Sequence, residues 1–525
     1  MLTYVHQRLM AAALVAVVAL GFASAAKADS APAPAAAPAA SAPLPSGDPT
    51  GANTGSASDV SAKNPGKPTL EEIATELGHA KVSINFVWML LCGFLVFFMQ
   101  AGFALLETGF VRSKNAGHVM FMNLSIFFIG VIGYWAIGYG LQMGNAAGIT
   151  QLGGLGIASG ETSFKILGHD FGMWATQGFF IAGKFYDVSF WALFLFSVVF
   201  MDAACTIPTG AMAERWKTSN FILFGFVMAA IIYPLYGNWV WGNGWLAKLG
   251  SNFALGHGHV DFAGSTVVHM VGGVAALAGI IVLGPRIGKF DKNGNATAIP
   301  GHHLPMAVMG TLVLGFGWFG FNAGSTLAGT DLRLAVVAVN TMIASCFGGA
   351  VAIVYMKLST GKWDLAMACN GYLAGLVAIT APCAFVNIWG AVIIGSVAGI
   401  LAPLAYAIIE NNFKLDDAVG AVAVHGVNGA WGGLSLGLFA DGTYGDGWNG
   451  VAGTVKGLFY GDSGQFVAQC IGVATCFVFV FGFFYAFFKV TDKIWGIRVS
   501  REVEEQGLDL PDLGTSAYSE FQLHK

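Results

Sequence analysis

Charge is what this chain lacks most. Asp, Glu, Lys and Arg make up 10% of its 525 residues, against roughly 25% in soluble proteins. So few charges cannot cover a soluble surface of this size, which excludes a soluble multidomain enzyme. A formal net charge of −4 supplies no basic face, so no nucleic-acid partner is expected. The seven cysteines (Cys92, Cys205, Cys346, Cys369, Cys383, Cys470 and Cys476) contain no CxxC pair. They read as small core hydrophobes and not as a disulfide or metal framework. Neither a metal nor a cofactor is expected. What is abundant instead is apolar bulk: hydrophobic residues at 55%, 73 Gly and 42 Phe, with a mean hydropathy of +0.66. Lipid is the solvent that suits such a chain.

The amino-terminal part reads as an address and a tether. Residues 1–28 carry Arg8, an apolar run from Met10 to Phe22 and two small-residue cleavage patterns, Ala23-Ser24-Ala25 and Ala26-Lys27-Ala28. A signal peptide is expected there, with an uncleaved anchor as the alternative. Residues 29–68 hold eight of the sixteen prolines among many Ala and Ser, the composition of a flexible external linker. Thr69-Leu70-Glu71-Glu72 reads as a capping box opening a short external helix at 69–83.

Residues 84–490 read as an all-α polytopic membrane domain. Eleven apolar segments are expected as spans: 84–110, 119–142, 189–213, 219–243, 261–284, 303–326, 332–356, 364–381, 384–409, 418–440 and 464–489. Basic residues concentrate in alternate loops: Arg112 and Lys114; Arg215 and Lys217; Arg286, Lys289 and Lys292; Lys357 and Lys362; Lys414; then Lys489, Lys493, Arg498 and Arg501 in the tail. By the positive-inside rule these loops are cytoplasmic. The chain is then N-out and C-in, multi-pass in the inner (plasma) membrane, with a cytoplasmic tail at 491–525.

A repeated spacing is the strongest chemical signal. Asp261 precedes His269 by eight residues in span 5, and Asp417 precedes His425 by eight in span 10. The two spans are five apart, so they cross in opposite directions. This is the mark of an inverted five-helix repeat, with one extra helix left over. Eight residues at about 1.5 Å each put each His roughly 12 Å from its Asp, near the middle of the bilayer. The twin His residues are therefore expected to meet at mid-membrane. Two unrelated core histidines are the bland alternative, and two His without a carboxylate or Cys ligand make a poor zinc set. His257, His259, His302 and His303 carry no evident metal ligands, and His79, His118, His169 and His524 read as solvated.

The segment DFAGSTVVHMVGGVAALAGIIVLGPR at 261–286 resembles the signature of the Amt/Mep/Rh ammonium transporter family. So do MQAGFALLETGFVRSKN at 99–115, GAMAER at 210–215, WFGFNAGS at 318–325 and AVHGVNGAWGG at 423–433. The resemblance runs over about 84–510 and is closer to the Amt/Mep branch than to the Rhesus branch. It implies an external ammonium recruitment site at Phe196, Trp241 and Ser325, a gate of stacked rings at Phe200 and Phe321, and Trp318 lining the pore lower down. It also implies a homotrimer with one pore per subunit. The run GIRVSREVEEQGLD at 496–509 resembles the family's cytoplasmic tail, which packs on neighbouring subunits, and many bacterial members are blocked by a PII signal protein. Against these stand a long linker and an enlarged loop at 143–188 that depart from the family.

For the ammonium substrate that the resemblance implies, the physical chemistry of the pore favours ammonia over the bare ion. Aromatic faces attract a cation by roughly 0.5–2 kcal/mol each, whereas moving a bare ion into hydrocarbon costs tens of kcal/mol. Neutral ammonia, or an ion rehydrated by pore water, should therefore cross, with the twin imidazoles passing protons beside it. Asp261 and Asp417 are expected to cap their helices as structural carboxylates, though Asp261 as a direct ammonium ligand stays open. Asn322 and Glu107 read as packing or helix-contact polar groups. An ammonium sensor signalling through its tail or a PII partner is the competing function. An intramembrane hydrolase lacks a convincing nucleophile or metal constellation.

Overall fold

The computed structural model describes residues 62–64, 66–144, 150–153, 160–182, 185 and 187–519. The expected signal peptide and nearly all of the linker lie outside the described residues, as do His6 and His524.

The fold is predominantly helical. Among the described residues nine helices are long and apolar enough to cross a membrane: α1 (Leu70–Phe110), α2 (Ser113–Met143), α3 (Val188–Ala211), α4 (Thr218–Val240), α5 (Ser265–Leu283), α6 (Leu304–Gly324), α7 (Leu334–Thr360), α9 (Ile388–Asn411) and α11 (Ser463–Trp495). Two shorter ones occupy the expected eighth and tenth ranges. They are α8 (Leu365–Thr380) and α10, a π-helical turn Val422–Val427 running into Asn428–Phe439. The Thr69 hydroxyl accepts the Glu72 N–H at 3.2 Å, and the Glu72 carboxylate accepts the Thr69 N–H at 2.7 Å. That capping box opens one continuous 41-residue helix, so the external helix expected at 69–83 is not a separate element. No Pro or Gly pair interrupts 70–110, and nothing stops the helix before Phe110.

The described residues also correct the all-α expectation. In the 143–188 loop, β1 (Glu161–Ile166) pairs antiparallel with β2 (His169–Ala175). Leu167 and Gly168 connect them, both at positive φ, which is the twist a two-residue hairpin needs. The hairpin rests on the end of α4, where the Trp239 indole N–H donates to the Met173 carbonyl at 2.8 Å.

Large apolar side chains such as Phe94, Phe97 and Phe98 on α1 and Phe477 and Val478 on α11 face outward. In water this would be ruinous; against lipid it costs nothing. α3 and α5 are the most deeply enclosed of the nine helices. Small residues let neighbours touch backbone to backbone. Gly109 of α1 lies against His303 and Ala307, Gly102 against Gly310, and Gly320 of α6 against Cys92. The indices run oppositely, so α1 and α6 are antiparallel. The same holds at the centre: Gly273 meets Gly426, Gly429 meets Met270, and Gly432 meets Ser265, so α5 and α10 are antiparallel too. A Cβ on Gly273 would lie 2.1 Å from the Gly426 nitrogen. Gly273→Ala is accordingly expected to push α5 and α10 apart. It should lower the thermal unfolding midpoint through an overpacking cost of about 1–3 kcal/mol; an unchanged midpoint would mean that this contact is not tight.

Candidate functional site

The site is built from two copies of one device. The Asp261 carboxylate accepts the backbone N–H groups of Gly264, Ser265, Thr266 and Val267 at 2.7–3.0 Å, and the Thr266 hydroxyl at 2.6 Å. The Asp417 carboxylate accepts those of Ala421 and Val422 at 2.9 and 2.8 Å. In each copy the residue three after the Asp is a glycine at positive φ, Gly264 at 119° and Gly420 at 86°. Each chain then enters a π-helical turn that carries the histidine, Ser265–Met270 and Val422–Val427. The expected spans 261–284 and 418–440 therefore begin about four residues late, because 261–264 and 417–420 form the cap and not the helix.

The two devices converge. His269 and His425 place their Nδ1 atoms 3.3 Å apart, with ring centroids 5.3 Å apart and planes inclined by 27°. Both rings are buried. Between neutral rings, one Nδ1 donates and the other accepts, so one Nε2 is left as an acceptor and the other as a donor. The Nε2 atom of His269 has no protein partner.

A ladder of rings leads to this pair. Phe196 lies 4.6 Å from Phe200. Phe200 stacks on Phe321 at 3.9 Å and 22°. Phe321 lies 5.4 Å from His269, and Trp318 stacks on His269 at 4.9 Å and 18°. At the Trp241 end, above Phe200, a cavity of about 310 Å³ is lined by Phe196, Phe200, Trp241, Asp261 and Ser325, among others. At the opposite end a cavity of about 10 Å³ is lined by Phe103, Glu107, Val424 and His425, among others. All eight pore and recruitment residues singled out in the sequence are thus brought together in one line. Asp261 joins them twice: its carboxylate caps α5, and its carbonyl accepts the Trp241 indole N–H at 2.6 Å. Trp318 is anchored by the Thr380 hydroxyl at 2.9 Å. The Ser325 hydroxyl donates to the Phe321 carbonyl at 2.8 Å, which leaves its lone pairs for a donor.

Several residues escaped sequence reasoning. His259 also lines the larger cavity. Its Nε2 lies 3.0 Å from the Thr266 hydroxyl, and burial pushes the imidazole down to about 4 against the pull of Asp261. Phe262, Trp448 and Asn449 line this cavity too; two of them come from a loop with no periodic signal. His118, expected to be solvated, is buried at the start of α2, with Nε2 3.0 Å from the Thr218 hydroxyl. Cys346 is exposed on the apolar outside and Cys470 is half-buried, so those two are not core residues. Among the described residues no group of three or more His, Cys, Asp or Glu is arranged to hold a metal ion.

A buried ion network lies at the far end. Arg286 grips the Asp416 carboxylate with Nε at 2.8 Å and Nη2 at 2.9 Å, and reaches Glu214 with Nη1 at 3.1 Å. Burial opposes the Asp416 charge, but Arg215 and Arg286 hold its carboxyl below the usual carboxylate range. The tail seals this network from outside. Glu504 accepts the Ile287 N–H at 2.7 Å and pairs with Arg498, and Asp509 accepts the N–H groups of Gly117 and His118. Residues 496–518 thus pack on their own chain.

Comparison with known proteins bears on the family and the fold. Residues 87–518 match the model of the Ammonium Transporter Family. The chain is 46% identical over 462 residues to the ammonium transporter Amt2 of Archaeoglobus fulgidus, covering 87% of this chain and 91% of that one. It is 37% identical to the ammonium transporter Amt1 of Haloferax mediterranei, covering 83% and 80%. Among solved structures, it matches a "Sensor Amt Protein" with a TM-score of 0.71 at 34% identity, covering 83% of this chain and 99% of that one. It matches Candida albicans Mep2 with a TM-score of 0.68 at 27% identity, covering 84% and 91%.

Proposed function

The chain belongs to the ammonium transporter family, a family of multi-pass membrane transporters and not of enzymes, and from that premise we propose that it takes up ammonium at the Trp241 end, strips its proton, and passes ammonia and proton separately along the twin imidazoles. The observation that supports this most is the 3.3 Å Nδ1 to Nδ1 contact lying between two cavities behind a closed pair of phenyl rings.

The chemistry follows from what each part can offer. In the larger cavity the faces of Phe196 and Trp241 attract a cation, and the Ser325 oxygen accepts one N–H. The same groups would hold potassium almost as well, so selectivity has to arise deeper. Phe200 and Phe321 stacked at 3.9 Å leave no room for a hydrated ion and must swing to admit anything. Beyond them the aromatic contacts supply only a few kcal/mol, against tens for desolvating a charge. Ammonium escapes that barrier by leaving its proton behind. Potassium cannot. The ammonia finds one acceptor and one donor on the imidazole pair, and the proton moves by tautomer exchange through the shared Nδ1 contact.

In this reading α1–α11 are eleven spans, N-out and C-in, with the Trp241 end outside and the Arg286 end in the cytoplasm. The antiparallel pairs α1/α6 and α5/α10 support an inverted repeat of five, and the Arg-rich network at one end supports the orientation. A second reading, an ammonium sensor, is favoured by one observation, the similarity to a protein named a sensor.

The deciding experiment measures ammonium-elicited current and isotopic ammonium uptake on the same proteoliposomes. Both signals are expected for a transporter moving charge. Binding without flux supports the sensor and rejects transport. Trp241→Leu and Ser325→Ala are expected to raise the half-saturating ammonium concentration about tenfold, which is the worth of about 1.4 kcal/mol of recruitment, while leaving the maximal current within about twofold. An unchanged concentration dependence would remove both residues from the site.

A further inference from the structure

Glu107 does contact neighbouring helices, through Asn123 and Thr209, but its surroundings ask for more than a helix contact. It sits on α1 at the small cavity below the imidazole pair, buried, with no Lys or Arg among the groups acting on it. An ionisable side chain at membrane depth without a counter-ion is costly and calls for a functional account. Of the eleven residues lining this cavity, only Glu107 and His425 can exchange a proton. The cavity holds about 10 Å³, the space of roughly one water or one ammonia.

The hydrogen bonds of Glu107 suit a group that changes protonation. Oε2 lies 2.7 Å from Asn123 Nδ2 and 2.6 Å from Thr209 Oγ1, and the Gly210 N–H also donates to the carboxylate. The Thr209 hydroxyl has a second acceptor, the Thr206 carbonyl at 2.5 Å. Its one hydrogen can point to Glu107 when the carboxylate is ionised. It can turn to Thr206 when Glu107 is protonated and donates to Thr209 Oγ1. No heavy atom has to move between the two states. The polar contacts continue away from the pore, with the Thr206 hydroxyl donating to Asn123 Oδ1 at 3.0 Å.

We propose that Glu107 is the proton acceptor and donor of the cavity below His425, where it returns the transported proton to ammonia. The proposal rests on the transport reading above. As the His425 N–H bond breaks, an O–H bond forms on Glu107, directly or through the one water that the cavity accommodates. His425 regains a proton from His269. Glu107 then protonates an ammonia that has passed the imidazoles. An N–H bond forms as the O–H bond breaks, and ammonium and the carboxylate anion are left. Across the cavity the titratable group facing Glu107 is His425; Asn123, Thr209 and Asn370 supply polar surroundings.

The test uses the full chain in vesicles of one orientation, with pH varied on the His425 side. Glu107→Gln is expected to lower the ammonium-elicited current about tenfold or more and to flatten its dependence on the pH of that side. Half-saturation on the Trp241 side should stay unchanged. Glu107→Asp is expected to restore part of both current and pH dependence. A Glu107→Gln protein with wild-type current overturns the proposal. So does one whose current falls while the pH dependence keeps its wild-type shape, because that is a structural loss; thermal unfolding of both variants shows whether they fold. A wild-type protein that moves no ammonium fails the transport reading itself, whereas wild-type flux with an indifferent Glu107→Gln fails Glu107 alone.

Discussion

Replacing either His269 or His425 by alanine is expected to lower the ammonium-elicited current roughly a hundredfold, the scale at which a positioned proton-transfer group usually contributes. The loss has two sources. The surviving imidazole keeps an Nδ1 with nothing opposite it, so tautomer exchange has no partner. The missing ring also leaves a void between the two cavities, lined by Trp318 and Phe321 on the His269 side and by Phe103 on the His425 side. Such a void can fill with water, and a wet path admits ions that a dry one refuses. The residual flux is therefore expected to discriminate less against potassium than the wild type does. Electrical recordings with ammonium and potassium on each variant check both. Wild-type rate together with wild-type selectivity in both variants would reject the relay.

This central pair was legible because it is a spacing. Eight residues from Asp to His, twice, at an offset of five helices, is a pattern that no local conformation can hide. Its physical basis was not legible. Four residues of each copy are spent on a cap around a glycine at positive φ, and each His rides on a π-helical turn. Neither leaves a mark in hydropathy, which counts apolar residues and not their hydrogen-bond register. The hairpin at 161–175 was missed for a related reason: Leu167-Gly168 is not a turn pair that sequence reasoning recognises, and the strands are stabilised by the end of α4 and not by their own alternation. Capping was visible at Thr69, but the length of the helix it starts was not, because the change from polar residues at 70–83 to apolar ones from 84 onward marks a change of solvent and not a break in the helix. Glu107 escaped because a lone carboxylate near a helix end is ordinary; only the cavity it shares with His425 makes it otherwise.

Asp261 carries the second large effect. Its carboxylate accepts four backbone N–H groups and one hydroxyl within 3.0 Å, and all of these groups are buried. Asp261→Ala orphans them together, at a cost of about 1–3 kcal/mol for each buried unsatisfied group. Even allowing for water entry and non-additivity, the sum is comparable with the 5–15 kcal/mol that holds an ordinary domain together. This variant is expected to lose most of its folded protein. Asp417→Ala removes fewer contacts and should fold with a lowered unfolding midpoint. Asp261→Asn separates the two roles considered for this residue. Its amide oxygen can still accept two of the N–H groups, but its NH₂ faces the remaining donors, so a capping role predicts a clear fall in the unfolding midpoint. That loss should be accompanied by weaker recruitment, since the Trp241 indole hangs from the Asp261 carbonyl and moves with the cap. A direct ammonium ligand predicts the opposite pattern: unaltered stability and a raised half-saturating concentration. An Asp261→Asn protein that unfolds like the wild type yet recruits ammonium poorly would therefore overturn the structural role and place the carboxylate against the ion.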